Sequence, residues 1–107
     1  MSVLTKEEFE KIYSIVPRIS VDAIIYDQDK GILLTQRAID PWKGYWHIPG
    51  GTVEKGERVE TAVKRIAKQE VNVDIEVVRL LGINEYMNEA HPTWTGHSVC
   101  LEYMVEI

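Results

Sequence analysis

Cysteine is nearly missing from this sequence, which rules out a disulfide framework. Cys100 stands alone among 107 residues. No internal bridge can form, and a lone thiol fits a reducing, cytoplasmic setting. Long apolar runs are missing as well. The longest, such as 23–26 and 32–34, extend over a few residues, far short of the roughly 20 that span a bilayer. The first ten residues mix Lys6 with three glutamates and hold no apolar signal core, which argues against export. A basic excess is also lacking. Seventeen acids against twelve bases leave no broad positive face for nucleic acid. A small phosphorylated ligand needs only a few local Arg or Lys, so the net charge of −5 does not exclude one. No repeat, low-complexity tract or linker divides the chain, and its length fits one small domain with a modest core.

What is present is an ordered series of elements. Thr5-Lys6-Glu7-Glu8 reads as a capping box opening a helix over 5–15, with Phe9, Ile12 and Tyr13 on one side and Pro17 beyond its end. The span 18–26 reads as a strand, Asp27–Gly31 as a turn, and 32–37 as the returning arm of a hairpin. Pro41, Trp42, Gly44, Tyr45 and Trp46 form a loop leading into His47-Ile48-Pro49-Gly50-Gly51. From Val59 the apolar period changes: Val59, Ala62, Val63, Ile66 and Ala67 fall on one helical stripe, with Asn72 as a stop. The span 73–87 is β-rich, 91–96 is a loop, and 97–107 is a last strand. The order predicts an α+β domain on a mixed sheet.

The informative stretch runs from Gly50 to Val73. Gly51 is followed after five residues by Glu57, and after seven more by Arg65-Ile66-Ala67-Lys68-Gln69-Glu70-Val71-Asn72-Val73. Positions 66, 69 and 70 are i, i+3 and i+4, which places them on one helical face. Of the three only Glu70 is a carboxylate, an oxygen donor that with a backbone carbonyl from the glycine loop could contribute to holding Mg²⁺ or Mn²⁺. The ion would neutralise a diphosphate, and a carboxylate would activate water. Gly50 and Gly51 allow close backbone approach. Arg65 and Glu57 are expected to pair across the loop–helix junction.

These residues resemble the box of the Nudix hydrolases: Gly51, Glu57, Arg65, Ala67, Glu70 and Val73 match, while Ile66 and Gln69 replace two helix carboxylates and Asn72 replaces a glycine. Gly44-Tyr45-Trp46, Pro49-Gly50-Gly51 and Val53–Glu57 are also similar, so the likeness covers residues 17–107. It implies a Nudix fold, a mixed β-sheet sandwiched by helices (α/β/α), here without the C-terminal helix. Each lost charge at about 4 Å removes on the order of 1–4 kcal/mol of attraction for a cation. A ligand's own diphosphate would then have to supply the missing charge. Substitution at a sugar anomeric carbon, with metal-bound diphosphate leaving, tolerates this thinning better than attack at phosphorus.

The loss of those two carboxylates resembles the GDP-mannose mannosyl hydrolase branch, as do Glu8-Phe9, Ile15-Val16-Pro17, Ser20-Val21-Asp22, Leu33-Leu34, Arg37 and Pro41. That resemblance implies substrate contacts from Asp22 and Arg37, metal held by Glu70 and the Gly50 carbonyl, and a role for Arg65 and Glu57 in the catalytic site. It also implies a homodimer in which residues 1–16 form a swapped N-terminal helix beside a Nudix domain over 17–107. Two positions depart from it: Thr52 stands where an arginine is usual, and no histidine lies near Tyr86. The sequence ends at Ile107, ahead of the branch's general-base histidine. This implies a fragment, completion by a partner, or a different site.

Other residues carry two readings. Asp22 amid Val21, Ala23 and Ile24 must be paired, at a turn, or in a site. Trp42, Tyr45 and Trp46 either stack a base or sugar or pack the rim. His47 and His97 are base candidates or ordinary surface histidines. Cys100, between Val99 and Leu101, reads as buried and inert; Lys55 either reaches phosphate or is solvated. The expected activity is metal-dependent hydrolysis of a nucleoside diphosphate-linked small molecule. The rivals are a pyrophosphohydrolase acting on ADP-ribose or nucleotides and a silent nucleotide-binding module.

Overall fold

A computed structural model describes residues 3–38, 43–91 and 94–107. The first helix, α1, covers Lys6–Tyr13. Its capping box forms as the sequence predicts: Thr5 Oγ1 accepts from the Glu8 amide at 3.2 Å, and Glu8 Oε1 accepts from the Thr5 amide at 2.9 Å. Two residues shorter than expected at its end, the helix stops where Ser14 caps it. None of its residues is buried. Phe9 meets Trp94 edge-on with ring centres 6.3 Å apart.

Strand β1, Arg18–Asp27, is the centre of the sheet. It ends where Asp27 Oδ1 accepts from the amides of Asp29 and Lys30 at 2.8 and 2.9 Å, and Gly31 takes a φ of 87°. A side-chain oxygen that caps its own turn, followed by a left-handed residue, reverses the chain. The hairpin's return arm differs from expectation. Instead of one strand over 32–37, β2 (Gly31–Ile32) pairs only with Tyr26 and Asp27. The chain then leaves, and β3 (Thr35–Gln36) pairs with β4 (Trp46–His47) in a separate ribbon. The reason is competition for one strand edge. β5, Gly50–Thr52, occupies that edge of β1 opposite Ser20, Val21 and Asp22. The supposed glycine loop is therefore partly a strand.

On its other edge β1 runs parallel to β7, Thr95–Glu106, from Arg18↔Ser98 to Ile25↔Val105. β7 pairs antiparallel with β6, a single strand over Glu76–Ala90. The register of this pair shifts at three places, the last between Tyr86 and Glu89, where Asn88 has a φ of 54°.

Helix α2, Val59–Val71, covers one face of this mixed sheet. Its apolar stripe buries Ala62, Val63, Ile66 and Ala67 against Val21, Ala23, Ile25, Tyr103 and Val105. Asn72 ends it in the left-handed conformation (φ 55°, ψ 40°), its amide bonded to the Lys68 carbonyl. The alternation of β1 sends Val21, Ala23 and Ile25 into that core and Arg18, Ser20 and Asp22 to the opposite face. Among the described residues, no helix is long and apolar enough to cross a membrane.

Candidate active site

The polar face of β1 opens into a cavity of about 490 Å³. Parallel pairing aligns Arg18, Ser20 and Asp22 with Ser98, Cys100 and Glu102, so one strand's polar alternation continues on the next. β6 adds Tyr86 and Glu89. Three residues apart, these two would point to opposite faces of a regular strand. The bulge at Asn88 supplies the extra residue that brings Glu89 round to the Tyr86 side.

Asp22 lies against Gly50, its register partner. A Cβ on Gly50 would overlap Asp22 Oδ1 and lie 2.9 Å from the Val21 carbonyl oxygen, so only glycine admits this carboxylate. Burial pushes the Asp22 carboxyl above the ordinary carboxylate value and Glu102 adds to this; the Cys100 thiol, Arg18 and His47 partly offset it. Gly51 meets a different and milder constraint. A Cβ there would lie 3.2 Å from Ile66 Cδ1, in the core beneath.

That contact revises the expected helix face. Ile66 is 3% exposed and belongs to the core, whereas Gln69 and Glu70 are exposed. An aliphatic side chain at 66 fills the volume under Gly51 where a charge would have needed a partner. Glu70 alone of the three lines the cavity. Gln69 Oε1 is taken up by Arg65 Nη1 at 3.1 Å.

Arg65 and Glu57 form the expected pair, and it is bidentate. Nε donates to Glu57 Oε2 at 2.7 Å and Nη2 to Oε1 at 2.9 Å; Nη2 also reaches the Thr52 carbonyl at 2.9 Å. Glu57 accepts as well from the Glu54 amide. The guanidinium holds the Glu57 carboxyl below its ordinary value. The pair clamps β5 and the loop to the start of α2, and neither side chain lines the cavity.

Arg37, Tyr45, Trp46 and His47 reach the cavity from the β3–β4 ribbon. The Arg37 amide bonds to the Tyr45 carbonyl at 2.9 Å, closing that hairpin. Tyr45 and Trp46 are each 64% exposed at its mouth. Trp42 and Pro41 lie outside the described residues. His47 Nδ1 lies 2.9 Å from the Ile48 carbonyl, which can only accept, and Nε2 lies 3.2 Å from the Thr35 hydroxyl. His97 does not line the cavity; it sits 3.6 Å from Glu85. Lys55 is exposed and outside it too.

Arg18, Ser20, Tyr86 and Glu89 escaped the sequence reading, and Cys100 was seen there only as a packing residue. Cys100 is buried, and that burial pushes its thiol up to about 12, so it stays protonated. It nonetheless forms part of the cavity wall beside Asp22. The period-two run Arg18-Ile19-Ser20-Val21-Asp22 was the available signal: three polar residues on one face of a strand. Among the described residues, no three His, Cys, Asp or Glu side chains gather to hold a metal ion.

Comparison with known proteins locates this arrangement. The NUDIX domain family model matches residues 16–106. The chain is 46% identical over 91 residues to an ADP-ribose pyrophosphatase of Methanocaldococcus jannaschii, covering 85% of this chain and 52% of that protein. It is 40% identical over 80 residues to the low-salt glycan biosynthesis protein Agl8 of Haloferax volcanii, covering 75% and 51%. The chain thus spans about half the length of these curated relatives. In structure it is similar to a MutT NUDIX hydrolase from Burkholderia pseudomallei, with a TM-score of 0.69 and 33% identity over 86% of this chain and 68% of that one.

Proposed function

Given that the chain belongs to the NUDIX domain family, we propose that it hydrolyses a nucleoside diphosphate sugar, GDP-mannose-like in its diphosphate and hexose, with the diphosphate as leaving group. The observation that carries this reading is the split of the helix face. Ile66 is in the core and Gln69 is engaged by Arg65, which leaves Glu70 as the one helix carboxylate at the cavity.

The donor set fits a divalent cation only as a shared site. Glu70 and the Gly50 carbonyl would hold Mg²⁺ or Mn²⁺ together with the ligand's diphosphate. The bound ion would supply positive charge to the departing phosphates. The chain's own residues do the remaining work. Asp22, held in its glycine cradle, accepts hydrogen bonds from sugar hydroxyls. Arg37 faces phosphate, and Tyr45 and Trp46 offer exposed rings against which a base can stack. His47 Nε2 takes a proton from water as the oxygen attacks the anomeric carbon and the carbon–oxygen bond to phosphate breaks. Arg65 and Glu57 act as positioning residues, fixing β5 and with it Gly50. A homodimer built through α1, whose residues are all unburied in the single chain, and a cytoplasmic setting belong to the same proposal.

Identity with the ADP-ribose pyrophosphatase favours a second reading, attack at phosphorus. Turnover of GDP-mannose and ADP-ribose with Mg²⁺ in ¹⁸O-labelled water separates the two. The label is expected on the sugar hydroxyl. Label on phosphate moves the chain to the pyrophosphohydrolase reading, and binding without turnover removes the enzymatic one.

A further inference from the structure

Arg18 enters the cavity from the start of β1, and its contacts are unusual for a half-buried cation. Nη1 donates to Thr52 Oγ1 at 2.8 Å and Nε to Ser98 Oγ at 3.2 Å. Both partners are neutral hydroxyls. Among the described residues, no carboxylate lies within ion-pair distance of it. A guanidinium has five N–H donors, so two bonds leave three without a partner among the described residues. A partly desolvated cation in that condition is costly unless an anion completes it.

Its two contacts are also directional. The buried Ser98 hydroxyl donates to Glu89, which turns its lone pair toward Arg18. Thr52 is held at its backbone, where its carbonyl accepts from Arg65. The guanidinium plane is therefore set from two sides before any ligand arrives. A planar fork held in place suits phosphate oxygens better than a mobile ammonium would.

We infer that Arg18 is an anion-binding residue of this cavity, pinned by Thr52 and Ser98 so that its remaining donors take a phosphate oxygen of the ligand. This deepens the nucleoside diphosphate reading and rests on it for the identity of the phosphate.

Calorimetric titration of the chain with GDP and with inorganic pyrophosphate, each with Mg²⁺, tests the assignment. Arg18→Gln is expected to weaken both by about ten- to a hundredfold, the loss of one or two charge-assisted bonds. Arg18→Lys should restore only part of this, because an ammonium cannot hold both hydroxyls and still present a fork. Thr52→Val, which leaves the charge and removes one pin, should give a smaller loss of about threefold and decides the matter if Arg18→Gln does not fold. Wild-type affinity for pyrophosphate in Arg18→Gln, or in Thr52→Val where Arg18→Gln is unfolded, overturns the assignment. Tight GDP binding that ignores Arg18 overturns it and spares the nucleotide reading. Arg18-dependent binding of pyrophosphate without GDP binding keeps it and overturns that reading. Failure of the wild type to bind either probe overturns both.

Discussion

Two arginines meet on Thr52, and they are opposites. Arg65 takes the carbonyl and Arg18 the hydroxyl. Arg65 spends four of its five donors on Glu57, Gln69 and Thr52, and its carboxylate partner is itself bonded to the Glu54 amide. Arg18 spends two, both on neutral groups. A closed polar network of this kind sets structure, because each member would be costly to leave alone. An open one is incomplete without a ligand. The same contrast separates the loop–helix junction from the cavity wall, where burial holds the Asp22 carboxyl above its ordinary value and Glu70 is exposed.

The strongest test of the closed side is Arg65→Ala. It strands Glu57, whose side chain is 14% exposed against 24% for Arg65. The expected cost is about 3 kcal/mol, the lower end for a broken buried pair, with Tm falling by roughly 10 °C or more. Because the folded-state Glu57 carboxyl is below its ordinary 4.5, the gap to wild type is full above that pH. It closes as pH falls through the lowered value and the carboxyl protonates in both chains. A gap that persists in acid would show the pair is not its source.

On the open side, Glu70→Gln should leave Tm within about 2 °C, as for most exposed substitutions, and lower metal-dependent turnover by roughly a hundredfold. Unchanged turnover removes Glu70 from the site. The smallest effect, and opposite in sign, is expected of Asp22→Asn. Burial raises the Asp22 carboxyl above 3.8, so ionising it in the folded chain costs stability that grows as pH rises from there through the folded value. The amide escapes this cost. Its Tm at pH 7 should exceed wild type by about 4 °C, equivalent to roughly 0.5–1 kcal/mol, and the two should converge in acid. A fall in Tm at neutral pH would place Asp22 with the closed networks instead.

Much of this was legible in the residues. The α2 stripe, its Asn72 stop, the α1 capping box and the Glu57–Arg65 pair all appear where local period and spacing put them. These depend on neighbours within a few residues, or on one loop closing onto a helix. The β3–β4 ribbon was not legible, since it forms because β5, some fifteen residues further along the chain, claims the edge of β1 that the hairpin's return arm would otherwise take. Position 66 was legible as a member of that apolar stripe, but its packing beneath Gly51, a contact between helix and sheet, was not.

The sequence by itself determined the family, the helices and the glycine pair, because those follow from fixed spacings and from which side chains tolerate close approach. Only the tertiary structure decided which polar groups meet at the cavity. Arg18, Thr52, Ser98 and Glu89 are spread over eighty residues of chain, and it takes a parallel strand pair, an antiparallel edge and one bulge to bring them to a single wall. Sheet register is a long-range choice, and no local pattern encodes it.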